Sequence, residues 1–370
     1  MRALLLSIIA LAVTVPAAAD ILYTCDSSIG MSACSALNNL VPADYKSIFG
    51  NSVSANIYIT YANVGVGASS TNYTPVPYST YYTALAANTN NPNALASLGS
   101  SGDPLGAQSD GMVDISPALA NSLGITANGA NTAGLESDGM TNCTLGASGC
   151  YNGVIFMTSA GGFYFPSTLT AAAPAPLPYL IDFYSVVEHE TDEVLGTVSC
   201  IGGTGGAATN LCDSMTTDAS AADLFRYSAA GTRTFLNSAN GTTAYFSTDG
   251  GVTDIADYNN SPSGGDYGDW LTIYPYLVQD AEVSLNTSLD ISTDFGVNGN
   301  NYPQPEVAVL NAVGFHTVAP EPSTFGLIGV GLMSLAYFGG LRRRCVFSIS
   351  DRRWRREPSC WLGRGFSNRD

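Results

Sequence analysis

The segment richest in chemical groups is Val187-Glu188-His189-Glu190-Thr191-Asp192-Glu193-Val194-Leu195-Gly196. His189 and Glu193 are four residues apart, so on a helix both side chains leave one face. An imidazole nitrogen and a carboxylate oxygen placed this way are legitimate ligands for a zinc ion. Glu190, next to His189, then stands where a general base acts on water polarised by the metal. A carboxylate in place of a second imidazole adds negative charge to the set, which makes such a water less acidic. The chain has two histidines, His189 and His316. Against this stands a plainer reading, in which an acidic run forms the solvated face of a helix.

These groups need elements to hold them. Val187, Val194 and Leu195 flank the motif as the apolar side of a buried helix, and the apolar run Leu180–Glu188 reads as strand-like. Upstream, Ser54–Tyr61 alternates apolar and polar residues, a strand signature. Val154–Thr158 and Gly162–Phe165 are further strand candidates. Cys34–Phe49 has helical spacing through Ala36, Leu37, Leu40, Tyr45 and Ile48, with Pro42 predicting two short pieces. Tyr78–Leu98 reads as helix broken at Pro92, and Val307–Phe315 as a helix ending at Gly314. Val64–Thr74 and Asp110–Asn152, rich in Gly, Ser and Asn, read as loops, and Ala171–Pro178 is too proline-dense for regular structure. The mixture predicts an α+β fold with long loops.

A second candidate cation site is the Asp249–Asp269 stretch. Asp249, Asp254, Asp257, Asp266 and Asp269 offer the oxygens Ca²⁺ takes, although Asp, Asn and Gly are also ordinary turn formers. The cysteines fall in close couples, Cys25/Cys34, Cys143/Cys150 and Cys200/Cys212, with two more at Cys345 and Cys360. In an oxidising compartment the six form disulfides. Of fifteen connectivities, local pairing within each couple is the simplest.

The ends say which compartment. Residues 1–19 carry Arg2, an apolar run from Leu4 to Val15 and a small-residue cleavage site, Pro16-Ala17-Ala18-Ala19, as in a signal peptide removed by signal peptidase. At the other end, Pro320-Glu321-Pro322 precedes the apolar run Phe325–Leu341 and then Arg342-Arg343-Arg344. Seventeen residues sit at the lower limit for a transmembrane helix. The arginines should stay cytoplasmic. This order resembles the PEP-CTERM sorting signal (318–344). The resemblance implies recognition at Pro-Glu-Pro and processing by an exosortase-type enzyme, with transient anchoring by the helix. Such tails usually stop after the arginines, whereas here a basic tail of unassigned role, 345–370, continues. Between the ends, residues 20–317 hold Lys46, Arg226 and Arg233 against 26 Asp and Glu, a net charge of about −23. That balance argues against nucleic acid and anionic membrane as partners.

Around His189 the sequence also resembles the zincin metalloproteases, and more closely a group of PEP-CTERM-bearing, metalloprotease-like exported proteins. The likeness runs through His189-Glu190-x-x-Glu193-Val194-Leu195-Gly196, Asp223–Ser228, Tyr245–Gly251, Gly265–Trp270 and Leu310–Phe315. It implies a zincin-like domain over 20–317, with His189 and Glu193 as zinc ligands, Glu190 as catalytic base and a protein or peptide substrate. Asp213-Ser214-Met215 resembles the methionine turn of metzincins. The metzincin pattern puts its third ligand at Ser199, a poor zinc donor, which leaves that position open among Asp213, Asp223 and His316. Two functions follow: an exported zinc-dependent peptidase with a degenerate motif, or a non-catalytic surface protein of an exopolysaccharide or biofilm matrix on the same scaffold.

Overall fold

The computed structural model describes residues 20–99, 111–165, 167, 181–201, 212, 219–235, 243–259, 267–271 and 305–318. The signal-peptide, sorting-tail and Ala171–Pro178 segments lie outside them, as do Asp213 and Asp266. The chain divides into a unit ending at Val318 and a second over 319–370, the latter wholly outside the described residues. Among the described residues, no helix is long and apolar enough to cross a membrane.

The fold is α+β. Its main sheet has the order β1-β2-β8-β3, formed by Ile21–Cys25 (β1), Ala55–Ala62 (β2), Gly67–Thr71 (β3) and Gly153–Thr158 (β8). β1, β2 and β8 run parallel, and β3 pairs antiparallel with β8 to close one edge. The crossover from β1 to β2 is the helix α1, Met31–Phe49. A three-stranded sheet joins Thr74–Pro77 (β4), Met112–Ile115 (β5) and Ala219–Ser220 (β11). Short pairs unite Ala133–Leu135 (β6) with Asn142–Thr144 (β7), and Phe163–Tyr164 (β9) with Ile181–Asp182 (β10). A fourth sheet takes the order β13-β12-β14-β15, from Arg226–Ala229 (β12), Thr232–Arg233 (β13), Tyr245–Phe246 (β14) and Ala256–Asp257 (β15). The remaining helices are Tyr78–Asn88 (α2), Pro92–Leu98 (α3), Pro117–Leu123 (α4), Phe183–Asp192 (α5) and Pro305–Val313 (α6).

Several expectations are corrected here. α1 is one helix through Pro42, not two pieces. Pro42 is buried with Leu37, Val41, Tyr45 and Phe49, and packing of that stripe outweighs the roughly 3 kcal/mol cost of an interior proline. Asn38 ties α1 to β1 by accepting from Tyr23 N at 2.9 Å and donating to Tyr23 O at 2.9 Å. Val64–Thr74 is not all loop, since it contains β3. Asp110–Asn152 likewise holds β5, α4, β6 and β7. The strand-like run Leu180–Glu188 is mostly helix, beginning at Phe183. The Pro92 break between α2 and α3, and the strands β2 and β8, match expectation. All three local disulfides form: Cys25–Cys34, Cys143–Cys150 and Cys200–Cys212.

One core collects the inner faces of β1, β2, β5 and β8 with α1, α2, α4, α5 and α6. α5 is buried along nine of its ten residues, far more than a solvated acidic helix would be. That burial decides how its charged side chains must be handled.

Candidate metal centre

α5 carries Glu188, His189, Glu190 and Asp192, then widens into a π turn over Glu193–Thr197. Such widened turns recur at functional sites. Within the turn the backbone leaves helical geometry at Gly196, whose φ of 136° is closed to side-chain-bearing residues without strain. Its carbonyls are satisfied from outside. Tyr73 Oη donates to Glu193 O at 2.9 Å, and Ser116 Oγ, the N-cap of α4, donates to Leu195 O at 2.6 Å.

Behind the helix, α1 and β1 fix its rotation. Tyr45 Oη donates to Asp192 Oδ1 and, at 3.1 Å, to Glu188 O. Tyr23 Oη pairs with Thr191 Oγ1 at 2.9 Å, and Thr191 Oγ1 donates back to Val187 O at 2.6 Å. Burial pushes the Asp192 carboxyl up, the Tyr45 bond opposing it; burial pushes the Tyr23 and Tyr45 hydroxyls up as well.

On the front face, His189, Glu190 and Glu193 bring one ligand atom each within 4.8 Å of one another. His189 Nε2 stands 3.6 Å from Glu193 Oε1. Glu190 and Glu193 are 3% and 7% exposed, so these carboxylates are shielded from bulk water. β3 presents a face of small residues to them. Ser69 Oγ donates to Glu193 Oε2 at 2.6 Å, and Gly67 lies so close that a Cβ there would meet Glu190 Oε1 at 2.4 Å and Val186 Cγ1 at 2.6 Å.

A fourth group arrives from far along the chain. Asp269 Oδ1 is 3.7 Å from the same His189 Nε2. Sequence reading placed Asp269 among the calcium-type aspartates and did not connect it with His189. Of the third-ligand candidates, Asp213 lies outside the described residues, and Asp223 and His316 stand elsewhere. Asp223 accepts from Ser199 Oγ (2.6 Å), Cys200 N (2.8 Å) and Ser220 N (2.9 Å), which makes it a buried tie between loops. Burial raises its carboxyl despite those bonds and the nearby Arg226 charge. Ser199 is the donor in the first of them. His316 sits after α6, its amide bonded to Ser52 Oγ at 3.1 Å. Among the described residues, converging ligand groups number two, and neither includes Asp223 or His316. The second group, Asp114 with Cys200 and Cys212, has its sulfurs joined in a disulfide and offers no thiolate.

The aspartate-rich stretch divides. Asp249 accepts from Ser247 Oγ at 2.8 Å, Thr253 N at 2.9 Å and Thr253 Oγ1 at 2.7 Å, which is turn chemistry. Burial acts to raise its carboxyl, but the bonds from Thr253 and Ser247 more than offset this and hold it low. Burial raises Asp254 and Asp257.

Residues 318–344 match the family model of the PEP-CTERM protein-sorting motif. No curated protein and no solved structure matches the chain. The motif defines the class: an exported protein sorted to the envelope and processed by an exosortase.

Proposed function

We propose that this exported protein is a zinc-dependent peptidase on a zincin-like domain, with an HExxE centre. The observation that carries the reading is the 3.6 Å between His189 Nε2 and Glu193 Oε1 on a buried helix face. Two ligands about 2.0–2.2 Å from one tetrahedral zinc lie about 3.4 Å apart, whereas a direct charge-assisted hydrogen bond would close to about 2.7–2.9 Å. Nitrogen and carboxylate donors suit zinc. His189 and Glu193 would hold the ion, and Ser69 orients Glu193 through its second oxygen.

A bound zinc would supply Lewis-acid polarisation of water and of a scissile carbonyl. Glu190 would take a proton at its carboxylate from the attacking water and return it to the leaving amine. Burial against Gly67 restricts where that carboxylate can go. β3 is the edge of the main sheet, and an extended peptide can lie along such an edge by adding a strand.

Elemental analysis of the purified exported domain tests this. The expected result is one zinc per chain, lost in His189→Ala. Peptide cleavage should vanish in Glu190→Gln while zinc is retained. Absence of zinc under replete conditions would support the second reading, a non-catalytic matrix protein, which the acidic Ser/Thr/Gly-rich composition and the sorting tail also suit.

A further inference from the structure

We propose that Asp269 is the third protein ligand of this centre, an inference that rests on the zinc reading above. Its carboxylate stands 3.7 Å from His189 Nε2, and Glu193 stands 3.6 Å from the same atom. An imidazole nitrogen has one proton or one lone pair to direct. At 3.6 and 3.7 Å neither carboxylate is at hydrogen-bonding distance of that nitrogen. Each gap taken singly is close to the spacing of donors around a tetrahedral zinc, about 3.4 Å, and the Asp269 carboxylate, which stands outside the converging group of His189, Glu190 and Glu193, would turn toward the ion to complete the set. One imidazole and two carboxylates also neutralise a divalent ion.

The loop bearing Asp269 is held from both sides. Gly268 lies against the turn that leaves the site helix, where a Cβ would meet Thr197 O and Ser199 N, both at 2.9 Å. Only glycine allows that approach. Arg226, fully buried, donates to Tyr267 O at 2.7 Å and stacks 4.4 Å above the Tyr258 ring. On the other side Trp270 Nε1 donates to Glu306 Oε1 at 2.6 Å. The main chain of Asp269 itself accepts from Asn259 N at 2.6 Å. Ligands fixed by their surroundings in this way bind metal with less ordering cost.

The test is zinc affinity, by competition with a chromogenic chelator, and the visible spectrum of the cobalt-substituted exported domain. Asp269→Asn should weaken zinc by more than about 100-fold, beyond the usual loss for an outer-shell partner, and should change the cobalt spectrum. Asp269→Cys should add a thiolate-to-cobalt charge-transfer band, which decides the matter should the Asn variant fail to fold. Wild-type affinity in Asp269→Asn, or no such band in Asp269→Cys, would overturn this ligand while leaving the His189–Glu193 centre standing. A wild-type domain that takes up no zinc would overturn both.

Discussion

Replacing Gly67 with alanine places one methyl carbon where β3 meets the site helix. The new Cβ would lie 2.4 Å from Glu190 Oε1 and 2.6 Å from Val186 Cγ1, against 3.4–4 Å for ordinary contact. Something must therefore move by about 1 Å. Val186 is on a packed helix turn and 4% exposed, so most of the movement falls on the Glu190 carboxylate or on the edge strand. Overpacking of this kind costs about 1–3 kcal/mol. A catalytic group displaced by about 1 Å costs about 100-fold in rate. The expected outcome is a domain that still folds and binds zinc, with a lower guanidinium midpoint and peptide cleavage down by about two orders of magnitude. Cleavage and unfolding measured on the same zinc-loaded preparation check this. Gly67→Ala with wild-type turnover and an unchanged midpoint would refute both the packing of β3 on Glu190 and the role given to that residue.

Trp270→Phe removes the donor to buried Glu306 and should lower stability by about 1–3 kcal/mol in chemical denaturation. Arg226→Met should cost a similar amount, because it removes a buried donor to Tyr267 O that also stacks on the Tyr258 ring; equilibrium unfolding gives the difference. Asp138 accepts from the Thr141 hydroxyl and from the Thr141 and Met140 amides, which hold its carboxyl down at about 2. Its folded value is below its unfolded one, so its stabilising contribution is present above the ordinary carboxylate range and lost as pH falls through about 2. NMR titration should find that midpoint, and Thr141→Val should raise it.

The i, i+4 spacing of His189 and Glu193, the three cysteine couples and the alternation in β2 were legible because each signal is local. β3 was not legible: Gly67-Ala68-Ser69-Ser70-Thr71 has weak strand propensity, and small residues stand there because the helix presses close to them. The apolar run into α5 looked like a strand because burial of the helix on most sides erases helical periodicity. Asp269 was hidden for another reason. It is 80 residues from His189, and only the fold brings them together, through a glycine whose demand for space no single sequence reveals. Pro42 misled in the opposite direction, its local penalty being outweighed by the core stripe around it.

The three disulfides bear on how such a chain matures. Each partner lies 7, 9 or 12 residues from its mate, so each ring can close once a short stretch has crossed the membrane, before distant cysteines compete. Rings this small each remove about 2–3 kcal/mol of freedom from the unfolded chain, less than a ring joining distant segments would. Joining one end of the domain to the other is thus left to non-covalent contacts, Phe49 against Phe315 and the bonds from Val318 N to Ile48 O and between Ser52 and His316. Reductant should loosen three small loops first, with loss of the domain following only where those loops support the core.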